Sequence, residues 1–202
     1  MTGPAGSARW DETYLERGDD VSWFETTPAT SIDMIRGLPL DSGAGIVDVG
    51  GGASTLVDHL LADGREDLTV VDLSRVALDR ARARVGPGAP VEWVCGDVTE
   101  WRPSRTYSLW HDRAVFHFLT EPADQARYLE VLRAAVPDGW VVLATFAPDG
   151  PDSCSGLPVT RHSVDDLTSA LAGFEVVDAR RHVHTTPWGT EQPFSYVAAR
   201  RA

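Results

Sequence analysis

Ile46-Val47-Asp48-Val49-Gly50-Gly51-Gly52-Ala53-Ser54 runs an apolar stretch into three glycines and out into small polar residues. Four residues of buried-strand character end in a loop where no side chain blocks the backbone. Leu56, Leu60 and Leu61 follow at helical spacing. A strand, a glycine loop and a helix in that order bring backbone N–H groups and a helix N-terminus up to a cofactor at the edge of an open α/β sheet. Asp48, two residues before the first glycine, adds an acid to that edge.

Outward from this unit, strand and helix patterns alternate. The sequence predicts strands at 46–49, 67–72, 91–95, 107–111 and 139–146, and helices at 54–62, 74–85, 121–136 and 164–171. Ser74 is placed to cap the second of these helices. Segments 174–184 and 193–199 read as two strands joined through 185–192, a hairpin rather than another crossover. The expected fold is therefore α/β: a Rossmann-like, mostly parallel sheet of seven strands with helices on both faces and a C-terminal antiparallel hairpin. The whole chain, 1–202, reads as one domain. Residues 1–40 form an N-terminal helical cover and 41–202 the core. Within the cover, residues 1–9 read as frayed, 10–17 as a helix, and Thr27-Pro28 as the start of a short second helix ended by Gly37. The Pro-, Gly- and Ser-rich segment 147–161 follows a central strand and is expected to act as a lid or substrate loop.

Composition narrows the function classes. The formal charge is −12 and every basic side chain is arginine, scattered without a basic face. Such a surface repels phosphate backbones and anionic lipid, so neither nucleic acid nor membrane is an expected partner. No apolar run is long enough to span a bilayer, and no basic-then-apolar leader opens the chain, so a cytoplasmic location is expected. Cys95 and Cys154 form neither a disulfide framework nor a metal motif. His182 and His184 lie two apart on one strand, a surface or substrate-facing pair rather than a metal site; no metal is expected.

Three acids fall at the carboxyl ends of three successive strands: Asp48, Asp72 and Asp97. With Gly50-Gly51-Gly52, Val70-Val71-Asp72, Gly96-Asp97-Val98 and the closing hairpin, the chain resembles the class I S-adenosylmethionine-dependent methyltransferases over nearly its whole length. The resemblance implies S-adenosylmethionine as cofactor. The glycines and Ser54 would carry its approach, and Asp48 would accept from its amino group. Asp72, beside Leu73, would take the ribose hydroxyls, and Asp97 with Val98 would meet the adenine. Trp10 and Trp23, with Tyr14 and Phe24, offer aromatic faces to the sulfonium. A nicotinamide-dependent oxidoreductase is the rival reading. Its fingerprint needs a third glycine where this chain has Thr55.

The segment Trp110–Leu119 follows the fourth strand, where the resemblance implies the methyl-acceptor side. The Asn-Pro-Pro-aromatic tetrapeptide of amide and base N-methyltransferases is absent. The expected acceptor is a small molecule methylated on O, N or S, with a protein side chain of the lysine type as the alternative. His117 and His111 are the candidate bases, since an imidazole titrates near neutrality. His111 is also expected to line the cofactor pocket. Arg113 either orients an anionic acceptor or pairs with Asp112. Phe118 and Trp188 are expected walls of the acceptor pocket.

Overall fold

The computed structural model describes residues 4–202. Its sheet has seven strands: β1 (Ile46–Val49), β2 (Leu68–Asp72), β3 (Val91–Cys95), β4 (Leu109–Arg113), β5 (Trp140–Phe146), β8 (Phe174–Thr185) and β9 (Glu191–Arg201). They lie in the order β3-β2-β1-β4-β5-β9-β8. The first five pair in parallel, and β9 runs antiparallel between β5 and β8. The order reverses at β1, where the chain first winds toward β3 and then returns to β4. Loops at the carboxyl ends of β1 and β4 diverge there and leave a crevice, the position where open α/β sheets bind ligands.

β1 is buried at all four positions and β5 at six of its seven, as expected of strands covered on both faces. Successive side chains point to opposite faces, and this alternation sorts the core. Ile46 and Leu109 pack with Ile32 and Ile35 of α2 (Ala29–Arg36) on one face. Val47, Val49 and Trp110 pack with Tyr128 and Leu132 of α5 (Pro122–Ala135) on the other. The remaining helices are α1 (Pro4–Arg17), α3 (Leu56–Ala62), α4 (Arg75–Val85) and α6 (Val164–Ala170). Among the described residues, no helix is long and apolar enough to cross a membrane.

The seven strands, their mostly parallel arrangement and the closing hairpin agree with the sequence reading. Three boundaries differ for identifiable reasons. Residues expected to fray extend α1 back to Pro4, and Arg9 ties this helix to the distant carbonyl of Ser155 at 2.5 Å; residues 1–3 lie outside the described residues. The fourth strand starts two residues later than expected and runs on through His111-Asp112-Arg113. Its ladder continues to the pairing of Arg113 with Ala144, while Tyr107 packs in a loop against Trp101. Segment 147–161, read as irregular, holds a small hairpin of β6 (Ser153–Cys154) and β7 (Leu157–Pro158).

Candidate active site

The glycine loop is shaped by contacts that exclude any side chain. Gly50 and Gly52 have positive φ, +69° and +36°. A Cβ on Gly50 would lie 2.0 Å from Val115 Cγ2, and one on Gly51 would lie 2.4 Å from Asp48 Oδ2. A Cβ on Gly52 would stand 2.7 Å from Asp72 Oδ2. The glycines therefore let the loop lie directly on the two acids. Arg84 of α4 fastens the far end, donating to the carbonyls of Ala53 (3.2 Å) and Ser54 (2.6 Å) and to Asp58 of α3.

The loop forms one wall of a cavity of about 1360 Å³, a volume that includes space open to solvent. Asp48, Asp72 and Asp97 all line it, as do Gly50, Gly51, Ser54, Leu73, Val98 and His111. Gly52 sits behind this wall, against Asp72. Asp72 accepts the Ser74 N–H at 2.7 Å. Burial, with Asp48 and Asp11 nearby, pushes its carboxyl up to about 7. Asp97 accepts both the N–H and the hydroxyl of Thr99, which orients it as the chain leaves β3.

His111 faces the cavity with both nitrogens engaged. Nδ1 lies 2.7 Å from Asp48 Oδ1 and Nε2 lies 2.9 Å from Ser31 Oγ. Nδ1–H donates to the carboxylate, leaving Nε2 to accept the Ser31 hydroxyl. Alternation along β4 puts Arg113 on the same face and turns Asp112 to the other. Arg113 therefore does not pair with Asp112. It lies 3.2 Å from Glu25 Oε2, donates to the carbonyl of Trp23, and crosses the ring of Phe194 at 5.6 Å. Asp112 instead accepts from the backbone of Val115 and Phe116 and from the Tyr128 phenol, holding the turn after β4.

His117 does not line the cavity. It is wholly buried and packs on Phe118 and Phe146, with ring centroids 4.5 and 4.7 Å away. Burial, with His162 and Arg113 nearby, drives its imidazole down to about 3. Phe118 is on the cavity wall, stacked edge-on with Trp10. Trp188 is apart from this cavity: half of its surface is exposed, and it borders a smaller hollow beside Gln192.

The N-terminal segment closes the top. Trp10 of α1 wedges between Trp23 and Phe118, at centroid distances of 5.6 and 5.3 Å. The Trp23 indole N–H donates to the Tyr14 hydroxyl. Asp11 anchors α1 at the start of α4, accepting from the Ser74 hydroxyl at 2.7 Å and the Val76 N–H at 3.1 Å. Glu25, between Arg113 and His184, is a wall residue that no sequence motif marked. Cys154, from the small hairpin, joins the wall as part of the 147–161 segment. Among the described residues, no group of three or more His, Cys, Asp or Glu side chains could hold a metal ion.

Residues 46–139 match the family model of a methyltransferase domain. The malonyl-[acyl-carrier protein] O-methyltransferase of Anoxybacillus flavithermus is 34% identical over 79 residues, 38% of this chain. The match spans only 30% of that relative's length. The structure of an S-adenosylmethionine-dependent methyltransferase from Anabaena variabilis superposes with a TM-score of 0.75 at 15% identity, covering 98% of this chain and 94% of that one. Magnesium protoporphyrin IX methyltransferase from Synechocystis, solved with bound S-adenosylhomocysteine, gives 0.73 at 15% identity over 98% and 99%. At those identities the solved structures speak to the fold, and the sequence match speaks to residues 46–139. Over residues 46–139 the chain matches a methyltransferase domain, and its fold is that of the solved S-adenosylmethionine-dependent methyltransferases.

Proposed function

We propose that the protein transfers a methyl group from S-adenosylmethionine to an oxygen, nitrogen or sulfur atom of a small-molecule acceptor. The observation that carries this reading is the convergence of Asp48, Asp72 and Asp97 with the glycine loop on one cavity. A nucleoside with a charged amino acid tail fits that donor set. Asp72 takes the ribose hydroxyls, Asp97 and Val98 hold the adenine, and Asp48, oriented by His111, takes the amino group. Trp10 and Trp23 present aromatic faces over the reacting end, favourable to a sulfonium by about 0.5–2 kcal/mol. When bound, the sulfonium makes its methyl carbon an electrophile. The protein's task is then to hold the acceptor atom about 3–3.5 Å from that carbon. His111, bonded at both nitrogens, serves as a positioning residue rather than a base. A small acceptor is favoured because α1 and Trp23 cover the cavity, which a protein side chain would have to enter past them.

Titration calorimetry with S-adenosylhomocysteine and with NADH tests the donor. Tight binding of the first and none of the second is expected; the reverse overturns the reading. Asp72→Ala removes two charge-assisted hydrogen bonds of about 1.5–3 kcal/mol each. It should weaken S-adenosylhomocysteine at least tenfold, and undiminished affinity would remove Asp72 from the ribose role.

A further inference from the structure

An arginine and a histidine share one carboxylate at the acceptor end of the cavity. Glu25, on the wall, meets Arg113 at 3.2 Å through Oε2 and the His184 ring at 3.1 Å through Oε1. His184 is buried, and its Nε2 lies 2.6 Å from the carbonyl of Ser22. Burial alone would raise the Glu25 carboxyl, but the His184 hydrogen bond and Arg113 hold it below its ordinary range.

The guanidinium is only partly used. Arg113 lines the cavity with its side chain 12% exposed, and its Nη1 is shielded from bulk water without a hydrogen-bond partner. The Tyr196 phenol lies beside the guanidinium and remains a phenol, pushed up to about 12 by burial. Cys154, on the same wall, has its thiol pushed up to about 11 by burial and adds no charge. Asp48 is committed to His111, and His111 to Asp48 and Ser31. This end of the cavity therefore combines a buried Arg113 N–H donor without a partner with neighbouring polar side chains that are already hydrogen-bonded. The surrounding surfaces of Trp10, Trp23 and Phe118 are aromatic.

Resting on the donor reading above, we propose that the acceptor's reacting group is a carboxylate on an apolar or aromatic body, docked on Arg113 and methylated to an ester. A carboxylate oxygen forms the new bond to the methyl carbon as the carbon–sulfur bond breaks. The electron pair of that bond stays on sulfur, which becomes a neutral thioether. No proton is released, so the step needs no base, consistent with a wall on which His111 is fully bonded and from which His117 is absent. Glu25 is a positioning residue that keeps the guanidinium turned into the cavity. The chain's net charge of −12 slows the approach of an anion, and selection falls to the local wall.

The test uses the full chain saturated with S-adenosylhomocysteine and three probes of one shape: benzoate, benzamide and benzylamine, titrated by ligand-observed NMR. Benzoate should bind at least tenfold tighter than the other two. Arg113→Gln should erase that preference. Glu25→Gln, which removes the competing counter-ion, should tighten benzoate several-fold, an effect of opposite sign to any loosening of the fold. Equal or tighter binding of benzamide or benzylamine overturns the proposal, as does absent benzoate binding or a preference that survives in Arg113→Gln. Should Arg113→Gln fail to fold, the wild-type ranking and Glu25→Gln decide it. Failure of S-adenosylhomocysteine to saturate the chain would sink the donor reading instead, a result visible in the same samples before any probe is added.

Discussion

Asp72 shows how one carboxylate can couple ligand binding to pH. It sits at the end of β2 with one oxygen accepting the Ser74 N–H, and its surroundings hold the carboxyl near 7. Ribose hydroxyls donate hydrogen bonds, so they select the ionised form and lower its pKa on binding. Affinity for S-adenosylhomocysteine should be full above about pH 7. It should fall toward tenfold per unit as the pH drops below that value, because protonation then competes with the ligand. Calorimetry from pH 6 to 8 measures this, and Asp72→Asn should flatten the profile while lowering its ceiling. Asp48, Asp72 and Asp97 were legible in the sequence because each ends an apolar strand. Glu25 was not, since its partner His184 is 159 residues away. Arg113 beside Asp112 looked like a pair in one dimension, but the pleat of β4 sends the two to opposite faces.

At the scale of elements, β4 and α5 are joined by a buried polar relay. The Trp110 indole N–H donates to the Tyr128 hydroxyl at 2.8 Å, and that hydroxyl donates to Asp112. Asp112 in turn receives the Val115 and Phe116 N–H groups. Removing one oxygen strands the indole N–H in the core and takes one of three donors from the buried carboxylate, at a cost of about 1–3 kcal/mol. Tyr128→Phe should therefore lower the unfolding free energy by that amount and the urea midpoint in proportion, and weaken S-adenosylhomocysteine because Val115 packs against Gly50. Urea titration and calorimetry on the same samples check both effects; an unchanged midpoint would mean that the relay contributes nothing net. The same relay explains why β4 runs on through Asp112 beyond the end its sequence predicts. Charged residues look like the end of a strand until a partner such as Tyr128 makes them tolerable inside it.

For the whole molecule, the cover over the cavity is held at few points. Asp11 bonds to the start of α4, Arg9 to Ser155, and Trp10 fills the gap between Trp23 and Phe118. The cofactor must pass this cover, so its hold should appear in rates more than in stability. Asp11→Ala removes a cap-like contact of about 1 kcal/mol. It should speed S-adenosylhomocysteine release about fivefold with little change in thermal midpoint. Stopped-flow tryptophan fluorescence reads that rate, and an unchanged rate would show that α1 does not gate exit.

The sheet, its closing hairpin and the cofactor loop could be read from the chain alone. Hydrophobic period, glycine placement and an acid at each strand end are local properties, set by backbone sterics and burial. Which side chains meet around Arg113 was decided only in three dimensions. His117 fell inside the core rather than on the wall, Trp188 fell outside the cavity, and Glu25, Arg113 and His184 came together from three distant segments. Contacts across such separations depend on how β4, β8 and the N-terminal cover stack, and no periodicity in the sequence encodes that stacking.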